Sequence, residues 1–153
     1  MSRAFVKEQD GDDGIGDLPE RQVSEYPNLV TQEGLAAIDA ELARLRTELD
    51  AAADDRALQA RIRRDLRYWQ ARRATAEVMP PPAEATELRF GSTVTIERED
   101  GRRQTWRIVG EDEADPATGS VSYVSPLARA LLGKSVGDVV EVAGSEAEII
   151  AIA

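Results

Sequence analysis

Apolar residues along this chain follow two different rhythms. Leu35, Ile38, Leu42, Leu45 and Leu49 recur at alternating steps of three and four. Those steps line one face of a helix with a heptad seam. Thr31 ahead of the run suits an N-cap, and Glu33 puts a negative charge in the first turn. The pattern predicts a helix over 32–52. Beyond a break at Asp54-Asp55, a looser stripe of Leu58, Ile62, Leu66, Trp69, Arg73 and Ala76 predicts a second helix. It ends by Met79, because Pro80-Pro81-Pro82 cannot continue it. Two helices joined by so short a turn are antiparallel neighbours. Each arm is roughly 33 Å long at the helical rise.

From Ser92 the rhythm changes to period two. Ser92–Arg98 alternates, with Val94 and Ile96 on one face, and Asp100-Gly101 is a strong hairpin signal. Gln104–Val109 is the return strand, and Val121–Val124 is a short strand after a turn at Pro116–Gly119. Ser125 followed by Pro126 opens a short helix with Leu127, Leu131 and Leu132 on its apolar side, stopped by Gly133. Val139–Val142 and Glu146–Ile152 close the sheet. The reading is α+β: residues 1–30 an acidic N-terminal extension, 31–79 an antiparallel helical hairpin (coiled coil), 80–87 a linker, 88–153 a β-sheet domain with one short helix. Residues 1–30 are rich in Asp and Gly and poor in apolar side chains, so they are expected to stay mostly disordered.

Charge narrows the function classes. The chain of 153 residues carries a net charge of −10. Residues 1–30 hold seven acids against three bases, 31–79 nine of each, and 80–153 thirteen acids against seven bases. Phosphate neutralisation by Lys and Arg supplies most DNA affinity, so stable direct DNA binding is not expected. There is no Cys and no His. Disulfides, thiolate chemistry, Cys/His zinc sites and a histidine base are excluded. No apolar run reaches signal-peptide or membrane-span length, so a cytoplasmic protein is expected.

Three groups of residues could carry chemistry. Asp54-Asp55 at the hairpin turn reads as a carboxylate pair offered to a metal or basic partner, or as an N-cap and first-turn acid of the second helix. That helix carries Arg56, Arg61, Arg63, Arg64, Arg67, Arg72 and Arg73 against Asp65 alone. The stripe reads as a track for nucleic acid or an acidic groove, or as pairing with Asp39, Glu41, Glu48 and Asp50 of the first helix. Glu111-Asp112-Glu113-Ala114-Asp115 reads as a docking patch or as a solvated turn. Trp106 and Phe90 are expected in the core.

Taken together, FGSTVTIE, WRIVGEDEAD, SPLARALLGK and VGDVVEV resemble the C-terminal domain of the bacterial Gre transcript-cleavage factors, the GreA/GreB family. NLVTQEGLAAIDAEL and RDLRYWQARRATAEV resemble the two arms of the Gre coiled coil. The resemblance spans about residues 28–152. It implies an FKBP-like fold for the β-rich domain and RNA polymerase as partner. It further implies docking at the rim of the polymerase secondary channel through Asp112, Glu113, Ser125 and Pro126. In the family, acidic tip residues help hold a Mg²⁺ that drives cleavage of backtracked RNA. Here the acidic Asn- and Tyr-containing tip signature is missing, and Asp54 and Asp55 match in position only. The hairpin also reads as shorter by about twenty residues, roughly 15 Å of reach per arm. The expectation is therefore a monomeric elongation regulator, not itself an enzyme, with no cofactor of its own beyond the polymerase Mg²⁺ and without strong cleavage activity. The DNA-binding label of the family is an association only. The alternatives are an active cleavage-stimulating factor and an FKBP-like interaction module with no polymerase role.

Overall fold

The structure is a computed structural model, and it describes residues 18–153. Residues 1–17 of the expected disordered extension lie outside the described residues. The remainder of that extension is placed and ends in a short strand, β1 (Leu29–Val30), where disorder was expected. Helix α1 (Gln32–Ala51) and helix α2 (Arg56–Thr75) follow. The chain divides into two compact units. Among the described residues, one comprises 18–25 with Ile38–Thr75, and the other Tyr26–Ala37 with Ala76–Ala153. Ile38–Thr75 falls within the hairpin read over 31–79, and Ala76–Ala153 takes in the segments read as linker and sheet domain. The first turn of α1 belongs with the sheet domain.

Each helix has 20 residues and is about 30 Å long, and the first unit holds α1 from Ile38 onward with all of α2. The seam buries Ile38, Leu42 and Leu45 of α1 and Ile62 and Leu66 of α2, as their spacing predicts. The stripe fails at one position. Arg72, not Arg73, is buried, with 2% of its surface exposed. The buried face turns toward the Trp69 side at the end of α2. A buried charge needs a partner, and Arg72 is not without an interaction. Arg73 lies outside and donates to Asp39 of α1 at 2.8 Å.

In the second unit, α2 gives way to β2 (Glu77–Val78), which pairs parallel with β1. The Glu77 N–H donates to the Asn28 carbonyl and the Met79 N–H to the Val30 carbonyl, each at 2.9 Å. Those donors are spent on β1, so the second helix stops at Thr75 rather than near Met79. Strands β3 (Thr93–Arg98), β4 (Arg103–Val109), β5 (Ser120–Ser122), β6 (Val139–Val142) and β7 (Ser145–Ile152) form one mixed sheet in the order β5-β4-β3-β7-β6. Only β4 and β5 are parallel neighbours. Helix α3 (Pro126–Leu131) adds Ala128 and Leu131 to a core built on Leu88, Val94, Ile96, Ile108 and Ile149. Trp106 packs against that core. Phe90 lies edge-on to Tyr123 at 5.6 Å between ring centroids.

Two local features set the register of this sheet. Gly101 has φ +85°, which the tight β3–β4 turn requires. Asp100 accepts from the Arg102 N–H at 3.0 Å, and that bond holds its carboxyl below the ordinary carboxylate range. On β7 the pairing with β3 jumps from Ala151 to Ile149, leaving Ile150 as a bulge. Without the extra residue, Ile149 and Ile152 would face opposite sides of the sheet. With it, both meet the core.

The seam yields a direct expectation. Leu45 is 2% exposed and Val139, on the edge strand β6, is 58% exposed. Leu45→Ala should cost about 2–5 kcal/mol, while Val139→Ala should change stability by less than about 0.5 kcal/mol. Urea unfolding followed by far-UV circular dichroism compares them. Equal midpoints for the two variants would contradict the seam.

Candidate functional site

The tip of the hairpin is built by backbone economy. Ala51, Ala52 and Ala53 carry no side chain beyond Cβ, so the chain can reverse tightly. The Ala52 carbonyl accepts from the Asp55 N–H at 2.9 Å. Gln59 Nε2 donates to the carbonyls of Ala52 and Ala53 at 3.0 and 2.9 Å. Asp55 Oδ1 accepts from the Leu58 N–H at 3.1 Å, which makes Asp55 the N-cap of α2. Asp54 is exposed, and neither of its carboxylate oxygens is bonded among the described residues. The two aspartates are neighbours in sequence with different physical positions: one closes a helix, the other is presented.

The arginine face of α2 divides similarly. Pairing with α1 is realised at Arg73 and Asp39. Arg67 instead takes Glu20 in a forked pair, which holds the Glu20 carboxyl below its ordinary range. Arg21 stacks its guanidinium 3.9 Å from the Tyr68 ring centre and approaches Asp65 at 3.5 Å. Composition did not anticipate these contacts of residues 20 and 21, because the partners lie more than forty residues away. Arg56, Arg61 and Arg63 are exposed and have no ion pair among the described residues.

In the second unit, Asp112, Ser125 and Pro126 lie on the loop after β4 and at the start of α3. Ser125 has extended backbone, and its Oγ accepts from the Ala128 N–H at 3.2 Å. It is the N-cap, with Pro126 exposed at the first helical position. Beside it, Arg129 donates to the Tyr26 hydroxyl at 2.6 Å, and the Tyr123 hydroxyl donates to the Pro27 carbonyl. Asp112 is half-buried. Glu113, on the same loop as Asp112, is bonded within the chain. Its Oε2 accepts from the backbone N–H of Thr31 at 2.9 Å and of Gly110 at 3.2 Å. Its Oε1 accepts from the Thr31 hydroxyl. A carboxylate with three internal donors is committed to the fold. One sequence signal could have shown it. Gly34 sits in the first turn of a helix, where glycine is costly unless something approaches closely.

Among the described residues, no three His, Cys, Asp or Glu side chains gather in a group fit to hold a metal. No described helix is long and apolar enough to cross a membrane.

The division of roles at the tip is testable. Asp55→Ala should cost about 0.5–2 kcal/mol, the usual loss for an N-cap. Asp54→Ala should cost less than about 0.5 kcal/mol, as for an exposed position. Thermal melts at neutral pH distinguish the two, and a larger loss at Asp54 would reverse the assignment.

Residues 83–153 match the family model described as the C-terminal part of transcription elongation factor GreA/GreB. The transcription elongation factor GreA of Cereibacter sphaeroides is 37% identical over 134 residues, covering 74% of this chain and 86% of that relative. The GreA of Chloroflexus aggregans is 36% identical over 142 residues, covering 78% and 90%. Among solved structures, GreA factor homolog 1 of Thermus thermophilus is 25% identical, with a TM-score of 0.43 over 84% of this chain and 99% of that one. The expectation of a non-enzyme does not survive these matches. The relatives that match over most of their length bear the name GreA, the name to which the resemblance attaches transcript cleavage. On this identity and coverage, the chain belongs to the GreA/GreB family of transcription elongation factors.

Proposed function

We propose that this chain binds RNA polymerase at the secondary channel, as a cytoplasmic monomer, and stimulates cleavage of backtracked RNA from its hairpin tip. The observation that carries the reading is Asp54. It is an exposed carboxylate at the turn between two 20-residue helices, with no bond among the described residues. Asp55 holds the start of α2 with one oxygen and so keeps the turn in shape. A Mg²⁺ held by the polymerase would supply Lewis-acid and water-activating chemistry, and such ions take carboxylate oxygens while keeping several waters. The role of this chain is to bring one more carboxylate to that neighbourhood and to hold it still.

The docking surface in this reading is Asp112, Ser125 and Pro126. Ser125 fixes the start of α3, and Pro126 projects from it. Asp112 adds a negative charge that steers encounter with a basic surface. The net charge of −10 supports a protein partner over bare nucleic acid.

Purified protein titrated into backtracked polymerase complexes at fixed Mg²⁺ tests this. Wild type should accelerate cleavage. Asp54→Ala should lower the saturating rate by about a hundredfold, the loss typical of removing one transition-state contact. Asp112→Lys should raise the half-saturating concentration and leave the saturating rate unchanged. Full cleavage by Asp54→Ala would remove the tip from the mechanism, and an absence of binding in a pull-down with core polymerase would remove the partner.

A further inference from the structure

The structure assigns to Glu113 a role as positioning residue: from the loop after β4 it holds the first turn of α1, the helix that leads to Asp54. This rests on the cleavage reading above. The contact joins residues 82 positions apart. Both oxygens of the carboxylate are engaged, Oε2 by the N–H groups of Thr31 and Gly110 and Oε1 by the Thr31 hydroxyl. Thr31, 3% exposed, passes the restraint on, since its own Oγ1 accepts from the Gly34 N–H at 3.0 Å and its carbonyl from the Leu35 N–H at 3.0 Å. The negative group also stands at the positive end of the helix dipole.

The surroundings are shaped for this one side chain. A Cβ at Gly34 would fall 2.3 Å from Glu113 Oε2. A Cβ at Gly110 would fall 2.4 Å from the Leu29 carbonyl oxygen and 3.0 Å from the same Oε2. Two glycines and a threonine, from two distant segments, leave a space that a carboxylate fills. Nothing in the proposed chemistry uses Glu113 directly. From Gln32 the helix runs unbroken to Ala51, and Asp54 follows three residues on. A start free to fray delivers that carboxylate less reproducibly, and small misplacements are costly in rate.

Gly34→Ala, Glu113→Ala and the double variant form the test, with Glu113→Gln as the conservative change. In melting experiments Gly34→Ala should destabilise wild type, because the added methyl meets the carboxylate. In the Glu113→Ala background the same change should cost less. Strictly additive losses would overturn the contact. In cleavage assays Glu113→Ala should lower the saturating rate about tenfold to a hundredfold, with the half-saturating concentration nearly unchanged. Glu113→Gln should lie between it and wild type, since the amide keeps an oxygen for the N–H donors but cannot accept from the Thr31 hydroxyl through its nitrogen. A raised half-saturating concentration at full saturating rate would return Glu113 to the docking surface and overturn the inference. If wild type itself gives no cleavage, the functional reading fails, and the coupling between positions 34 and 113 alone decides whether Glu113 holds the helix start.

Discussion

The start of every helix leaves backbone N–H groups that must find acceptors, and that need organises this chain. Helix α1 is answered by Thr31 and, across 82 residues, by Glu113. Helix α2 is answered by Asp55, and α3 by Ser125. Three of these four capping residues are also positions that composition and resemblance single out for binding or chemistry. Glu113, with both oxygens engaged at a helix start, has little left to offer a partner. The demand for caps therefore sorts the polar residues: Asp55 and Glu113 inward, Asp54 and Pro126 outward.

Most of the architecture was legible in the sequence, because burial follows period. The seam residues Ile38, Leu42, Leu45, Ile62 and Leu66, and the inward strand residues Val94 and Ile96, sit where step counting puts them. Period alone could not place Arg72, because the buried face drifts at the end of α2. It could not place the bulge at Ile150, which exists to bring two isoleucines three residues apart to the same side. Nor could it end α2 at Thr75, a boundary set by hydrogen bonds to a strand some fifty residues earlier.

The candidate site was legible only in part, for a related reason. Acidic runs such as Glu111–Asp115 read as uniform charge, yet they separate once donors are assigned. Glu113 takes one backbone donor from Gly110 nearby and one from distant Thr31, and Asp115 accepts from the Ala117 N–H at the start of the next short 3₁₀ turn. The acid-rich segment ahead of β1 likewise reads as unable to order itself. Of its described residues, Glu20 pairs with Arg67 of α2 and Arg21 stands over the Tyr68 ring.

The pairing of β1 with β2 has a topological meaning. It closes the excursion of α1 and α2 into a loop whose two ends lie side by side in one unit. The entropy of closing such a loop grows only logarithmically, by about 0.6 kcal/mol for each doubling of its length. Matched turns can therefore be added to or removed from both arms while the sheet and its helix keep their register. Arm length is in that sense a separable variable of this fold, open to adjustment in steps of a heptad without renegotiating the domain that carries it.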